Sequence, residues 1–249
     1  MNVLSIGNSF SDNAHRYLHK IGRLDNRHNV YTCNLYIGGC PLSTHHRNMH
    51  SDERAYAVTI NGMGTLTKLS IKEALLALDW DVVTLQQASH FSTNYATYQP
   101  YISEIAELVR YYCPKAKIVI HQTWAYEQGS EKLAKLNYEN SIDMYRDLAT
   151  CYENAAKDTN ANAIIPAGYA MQALAKLGCT VHADTFHANS LGKLVIAATW
   201  YQALTGRSIK ELDFSYFDFD APIGAEEIEL AKRVSYEAVK KFGFEVKSI

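Results

Sequence analysis

The chain has 249 residues, of which 47% are hydrophobic and 20% charged, and carries a formal net charge of −2. At this length folding buries roughly 70–75% of the surface that the unfolded chain exposes, so neither a disulfide nor a structural metal is needed to hold a core. The near-balanced charge gives no electrostatic reason to expect nucleic acid or an anionic membrane surface as a partner.

Five cysteines (Cys33, Cys40, Cys113, Cys151 and Cys179) lack CxxC spacing, which argues against a disulfide framework and against a zinc ribbon. The first apolar run begins at residue 2, leaving no room for a signal peptide, and no run approaches the roughly 18 apolar residues of a membrane span. The sequence as given is expected to be cytoplasmic. Seventeen tyrosines stand against eight phenylalanines, a bias that suits amphiphilic ligands such as sugars but more often serves packing.

In chain order, Val3-Leu4-Ser5-Ile6 reads as a short strand buried in a parallel sheet, left through Gly7. Asn8, Ser9, Ser11, Asp12 and Asn13 are helix-capping types, and Ala14, Tyr17, Leu18, Ile21 and Leu24 follow at helical spacing, predicting a helix over 13–26. Residues 30–37 alternate as a second strand and end in Gly38-Gly39-Cys40-Pro41. Residues 43–52 are polar and histidine-rich. Residues 55–61 and 65–70 predict a hairpin inserted on the main sheet. A short helix over 71–78 leads to a strand over 81–85, which runs into Gln86-Gln87-Ala88-Ser89-His90. An amphipathic helix over 100–112 precedes a strand over 117–121 and a loop holding Trp124 and Tyr126. One long helix is expected over 131–159, then a strand over 163–166 and a helix over 169–177. The irregular segment His182–His187 is followed by a helix capped at Asn189 or Ser190 and stopped near Gly206, and by a last helix over 224–242.

Five buried strands alternating with helices predict one α/β domain over 1–249, a five-stranded parallel sheet with helices on both faces. Ligands gather at the carboxyl ends of such strands, which assigns Ser9, Gly38–Gly39, Gln86–His90, Gln122–Tyr126 and Pro166–Gly168 to one rim.

Ser9 follows a strand and opens a helix, where unpaired N–H groups and the helix dipole favour negative charge. That suits a nucleophile whose attack makes an oxyanion, and equally a bound phosphate. A nucleophilic serine needs a base held in the right tautomer. Among ten histidines His187 stands out, because Asp184 precedes it by three residues and can reach Nδ1, leaving Nε2 free; His182 has no comparable acid. Oxyanion donors are expected from the N–H of Ser9, from the N–H of Gly38 or Gly39, and from the side chain of Gln86 or Gln87, with Gln87 preferred as the one nearer the strand end. His45, His46 and His50 include an i, i+4 pair that would suit a metal on a helix, but no carboxylate completes a set in that register, and a polar loop is the expectation. Cys40 has no evident base beside it.

Taken together, Gly7-Asn8-Ser9-Phe10-Ser11, Gly38–Gly39 and Asp184-Thr-Phe-His187 resemble the SGNH (GDSL-like) hydrolase superfamily of esterases and lipases, over roughly residues 1–206. The resemblance implies an α/β/α flavodoxin-like fold, Ser9 as nucleophile, and His187 and Asp184 as its partners. Two departures stand out. Asn8 replaces the usual Asp, and Leu85-Gln86-Gln87-Ala88-Ser89 stands where the family has Gly-x-Asn. The chain is therefore similar to a branch catalogued as a domain of unknown function, and His90 becomes a substitute for the third oxyanion donor. No Gly-x-Ser-x-Gly elbow is present.

The expectation is a serine esterase that removes a small acyl group, acetyl foremost, from a hydroxylated and carbohydrate-like substrate. Ser9, His187 and Asp184 would be catalytic, and Ser9, Gly39 and Gln87 would form the oxyanion hole. Gly38, His90, Trp124 and Tyr126 would meet substrate, with Tyr95 and Tyr98 also in rim loops. No cofactor, metal, nucleic acid or membrane partner is expected. The alternatives are a non-catalytic nucleotide- or phosphate-binding module and an acyltransferase using the same triad.

Overall fold

A computed structural model describes residues 1–247. Its strands are β1 (Asn2–Gly7), β2 (Tyr31–Tyr36), β3 (Tyr56–Ile60), β4 (Met63–Leu69), β5 (Val82–Leu85), β6 (Lys117–His121) and β7 (Ala163–Ile165). They form one seven-stranded sheet in the order β4-β3-β2-β1-β5-β6-β7. β2, β1, β5, β6 and β7 run parallel, and the central strands β1, β5 and β6 are mostly apolar and almost wholly buried, as strands covered on both faces must be. The helices are α1 (Ser9–Asp25), α2 (Leu42–Ser51), α3 (Ile71–Ala77), α4 (Tyr101–Tyr112), α5 (Glu131–Lys135), α6 (Ser141–Asp158), α7 (Ala167–Lys176), α8 (Ser190–Thr205) and α9 (Ala225–Lys241). α1 packs on α8 and α8 on α9, while α2 packs on α4, so helices flank the sheet. Among the described residues no helix is long and apolar enough to cross a membrane.

The five parallel strands are those the sequence predicts, but the sheet has seven. The predicted hairpin is present as β3 and β4: β3 pairs antiparallel with β2, and β4 with β3, so it adds the two further strands at the sheet's edge. β1 owes its central place to the hydrogen bonds it makes on both sides, to β2 and to β5.

Three helical expectations also change. α1 begins at Ser9 instead of residue 13, because Asn8 is the N-cap and its side chain accepts from the N–H of Phe10. The predicted helix over 131–159 is two helices. Asn137 adopts φ 62° after α5, and Asn140 caps α6 afresh by accepting from the N–H of Asp143. Residues 42–51 are helical, not a polar loop. Leu42, His45 and Asn48, spaced by threes, supply the buried face that weak local propensity conceals.

Candidate active site

β1 delivers the chain to the rim at Gly7, where a side chain could not fit. A Cβ there would lie 2.1 Å from Ser11 Oγ and 3.3 Å from Gln86 Oε1. Asn8 then leaves the strand with extended backbone, and Ser9 is the first residue of α1. Its N–H belongs to the helix-terminal set that has no intrahelical partner, and among the described residues it donates to none.

The loop of residues 182–188 reaches Ser9 from the other end of the chain. Thr185 sits at φ 75°, and Ala183 N–H donates to His187 O at 2.8 Å, closing a tight turn. Three outside bonds fix that turn against the rim. Glu127 N–H donates to Thr185 O at 2.8 Å, Trp124 Nε1–H to Phe186 O at 2.8 Å, and Ala188 N–H to Asn13 Oδ1 at 2.9 Å. Asn13 lies one helical turn beyond Ser9, so the helix that presents the serine also anchors the loop that presents the histidine. The sequence offers no sign of this role for Asn13 beyond its four-residue offset.

The outcome is a directed chain of hydrogen bonds. His187 Nε2 lies 2.8 Å from Ser9 Oγ, across 178 positions of sequence. His187 Nδ1 lies 2.7 Å from Asp184 Oδ2, and His187 N–H donates to Asp184 Oδ1 at 2.8 Å. An ionised carboxylate can only accept, so Nδ1 carries the proton and the Nε2 lone pair faces the serine hydroxyl. Burial pulls the Asp184 carboxyl upward, but the bonds from the His187 ring and backbone outweigh it and hold the group below its usual range. The His187 side chain is 29% exposed and that of Asp184 50%, so the chain opens to solvent.

The loop of Gly38–Gly39 is tied to the residue before Ser9. Cys40 N–H closes a turn on Ile37 O at 3.2 Å, and Asn8 Nδ2 donates to Cys40 O at 3.4 Å. Gly38 and Gly39 are exposed. Gly39 has φ 62°, a left-handed conformation that favours glycine, and among the described residues its N–H donates to no group.

The two glutamines are both buried, and neither points a free amide at Ser9. Gln87 Nε2 donates to Thr97 O at 2.9 Å, while its Oε1 accepts from the N–H groups of Leu42 and Ala88. The expectation of Gln87 as an oxyanion donor is therefore corrected: its amide braces the start of α2 and the loop after β5. Gln86 forms the floor of the rim. Its Nε2 donates to Asn8 Oδ1 at 2.8 Å, and its Oε1 accepts from Ser11 Oγ at 2.7 Å and from His121 Nδ1 at 2.8 Å.

The aromatic expectations change too. Trp124 is 1% exposed and stacks on Phe10 with ring centroids 4.2 Å apart, so it supports the histidine loop from below and offers no face to a sugar. Tyr126 is 4% exposed and shares a 2.9 Å hydrogen bond with Ser89 Oγ. Tyr98 is buried with its hydroxyl on Ser92 O, and Tyr95 bonds to Asp158. His90 is exposed in a single turn over Ser89–Phe91, with its ring 4.3 Å from that of Phe91; among the described residues it bonds to neither Ser9 nor His187. Partial desolvation of the ring by its neighbours, reinforced by the Lys132 charge, lowers its pKa and favours the neutral form.

Residues 2–238 match the family model described as Domain of unknown function (DUF4886). The crystal structure of a DUF4886 family protein from Bacteroides uniformis ATCC 8492 is similar with a TM-score of 0.88 and 29% identity, covering 99% of this chain and 97% of that one. A protein from Slackia heliotrinireducens, named as a candidate SGNH hydrolase, aligns with a TM-score of 0.59 and 23% identity over 82% of this chain and 98% of its own. The acetylxylan esterase Axe2 of Geobacillus stearothermophilus aligns with a TM-score of 0.50 and 14% identity over 79% and 90%. No curated protein matches the chain. The latter two likenesses show the fold alone, and that fold is the SGNH-hydrolase one.

Proposed function

The chain belongs to the DUF4886 family, a branch of the SGNH hydrolase fold, and on that premise we propose that it is a serine esterase acting through an acyl-enzyme on Ser9. One observation carries this reading: the bond from Ser9 Oγ to His187 Nε2 continued from Nδ1 to Asp184. Ser9 Oγ attacks the ester carbonyl while its proton passes to His187 Nε2. The carbonyl oxygen becomes an oxyanion, held by the N–H groups of Ser9 and Gly39. Collapse breaks the ester C–O bond, and His187 returns the proton to the departing alcohol. Water then gives a proton to His187 and its oxygen to the acyl carbon; collapse breaks the bond from Ser9 Oγ to the acyl carbon, His187 returns the proton to Ser9 Oγ, and the acid leaves. Asp184 keeps the ring in its working tautomer and offsets the imidazolium charge.

Solvent reaches the histidine and aspartate, which favours water over a second alcohol as acceptor. A phosphate cradle leaves the bond from Ser9 Oγ to His187 Nε2, and its continuation to Asp184, without a purpose. The acyl group is small, acetyl foremost, on a hydroxylated carrier of the carbohydrate class. With Trp124 and Tyr126 buried, the exposed groups that meet the carrier are Gly38, Gly39 and His90.

The test is hydrolysis of p-nitrophenyl acetate together with labelling by a fluorophosphonate probe, on wild type, Ser9→Ala and His187→Ala. Wild type is expected to turn over and to label at Ser9, with both variants silent. Equal labelling of wild type and Ser9→Ala overturns the reading.

A further inference from the structure

Away from Ser9, α2 and α4 bring three metal-ligating atoms to one point. His46 and His50 stand one turn apart on α2, so their rings leave the same side of the helix. That side meets α4, which presents Glu104. His46 Nε2 lies 2.6 Å from Glu104 Oε2, His50 Nε2 lies 3.1 Å from His46 Nε2, and His50 Nε2 lies 3.6 Å from Glu104 Oε2. The missing carboxylate of the sequence reading thus comes from a second helix, 54 or more positions away, where no local register could show it.

We propose that His46, His50 and Glu104 form a binding site for a divalent transition-metal cation, zinc foremost, through two imidazole Nε2 atoms and one carboxylate oxygen. In a tetrahedral zinc site, bonds of about 2.0–2.1 Å place neighbouring ligand atoms about 3.3–3.5 Å apart. The three separations bracket that value, so the cation enters once the His46–Glu104 pair opens by about 0.7–0.9 Å, replacing the proton between them, while the other two separations change by about 0.4 Å or less. The donor set selects the metal class. Calcium and magnesium favour oxygen throughout, whereas two imidazoles with a carboxylate suit zinc and its neighbours.

Packing orients the set. The His46 side chain is 20% exposed, with its ring 5.2 Å from that of Tyr101, while His50 at 61% and Glu104 at 42% leave the fourth position open to solvent. α2 starts two residues after Cys40, so a cation bridging α2 to α4 would brace the helix that follows the Gly38–Gly39 loop.

The experiment is titration of the chelator-stripped full chain with Zn2+ by calorimetry and with Co2+ by visible absorption, for wild type, His50→Gln, Glu104→Gln and His187→Ala. One equivalent is expected to bind to wild type and to His187→Ala, with the d–d bands of tetrahedral Co2+ and a raised Tm. Affinity should fall at least tenfold in His50→Gln and in Glu104→Gln. Both substituted side chains are substantially exposed, so their folding is expected to survive, and far-UV circular dichroism checks it. Unchanged affinity in these two variants, loss only in His187→Ala, or no saturable binding to wild type would overturn the proposal.

Discussion

The stretch from the middle of β1 to the second turn of α1 makes two serine–imidazole hydrogen bonds of nearly equal length. Ser5 Oγ lies 2.9 Å from His15 Nε2, and Ser9 Oγ lies 2.8 Å from His187 Nε2. Everything around them differs. Ser5 and His15 are fully buried, Ser5 shares its hydroxyl with Thr84 at 2.7 Å, and His15 Nδ1 has no partner among the described residues. Burial pushes His15 down to about 3, so its ring stays neutral near pH 7 and cannot hold a proton taken from serine. His187 has a carboxylate on its far nitrogen and solvent at its edge. A short serine–histidine distance is thus no mark of a nucleophile. The group on the other ring nitrogen, and access for water, separate the two pairs.

The sharpest way to break the comparison is to make the rim pair resemble the buried one. Asp184→Asn removes the fixed acceptor and admits the wrong tautomer, and is expected to lower kcat for p-nitrophenyl acetate by about 10⁴, with little change in Tm. A loss under tenfold would mean that the carboxylate is not what distinguishes His187.

A second prediction concerns the buried side. His15, His45 and His121 are each pushed down to about 3 by burial, and a protonated His15 would further oppose a proton on His121. In the unfolded chain such rings titrate near 6.5, so below that pH the unfolded state binds protons that the folded state refuses. Their contribution is complete above about pH 6.5 and is lost as pH falls toward 3, at roughly 1.4 kcal/mol per pH unit for each ring. Urea midpoints at pH 7 and pH 5 should show this, and the pH dependence of His15→Leu should be shallower by one proton than that of wild type. Identical slopes would contradict the assignment.

The smallest effect is expected for Ser5→Ala. It removes the hydroxyl between His15 and Thr84, costing about 1–2 kcal/mol of stability, and leaves kcat within about twofold. A large loss of kcat at unchanged Tm would show that the buried pair acts on the rim.

How much of this was legible in the sequence depended on how local the cause was. The strand over 117–121 is the one observed, because an isolated β-branched run between turns has few other fates. The expectation that Ser9, Asp184 and His187 meet rests on a strand–glycine–cap junction and a three-residue spacing, both short-range signals, and the three side chains do lie within hydrogen-bond distance of one another in the order Ser9–His187–Asp184. Gln86 and Gln87 could not be told apart, because strand alternation assigns opposite faces while partners 45 and 78 positions away decide what each amide does. Trp124 and Tyr126 misled for a related reason: an aromatic beside a strand end can cap the core or face solvent, and only the loop from Thr185 to His187 settles which. The α2 helix was hidden because histidine, threonine and asparagine favour it weakly by themselves. Its packing on α4 supplies the rest.

The absent side chain at Gly7 has a consequence for redesign. The platform under Ser9 is already filled by Ser11 and Gln86, and any larger residue at that strand terminus would have to displace one of them. Added volume beneath Ser9 therefore comes only at the expense of that packing. A protein engineer would have to work from above, at the exposed positions 38 and 90, because the left-handed backbone of Gly39 resists any side chain.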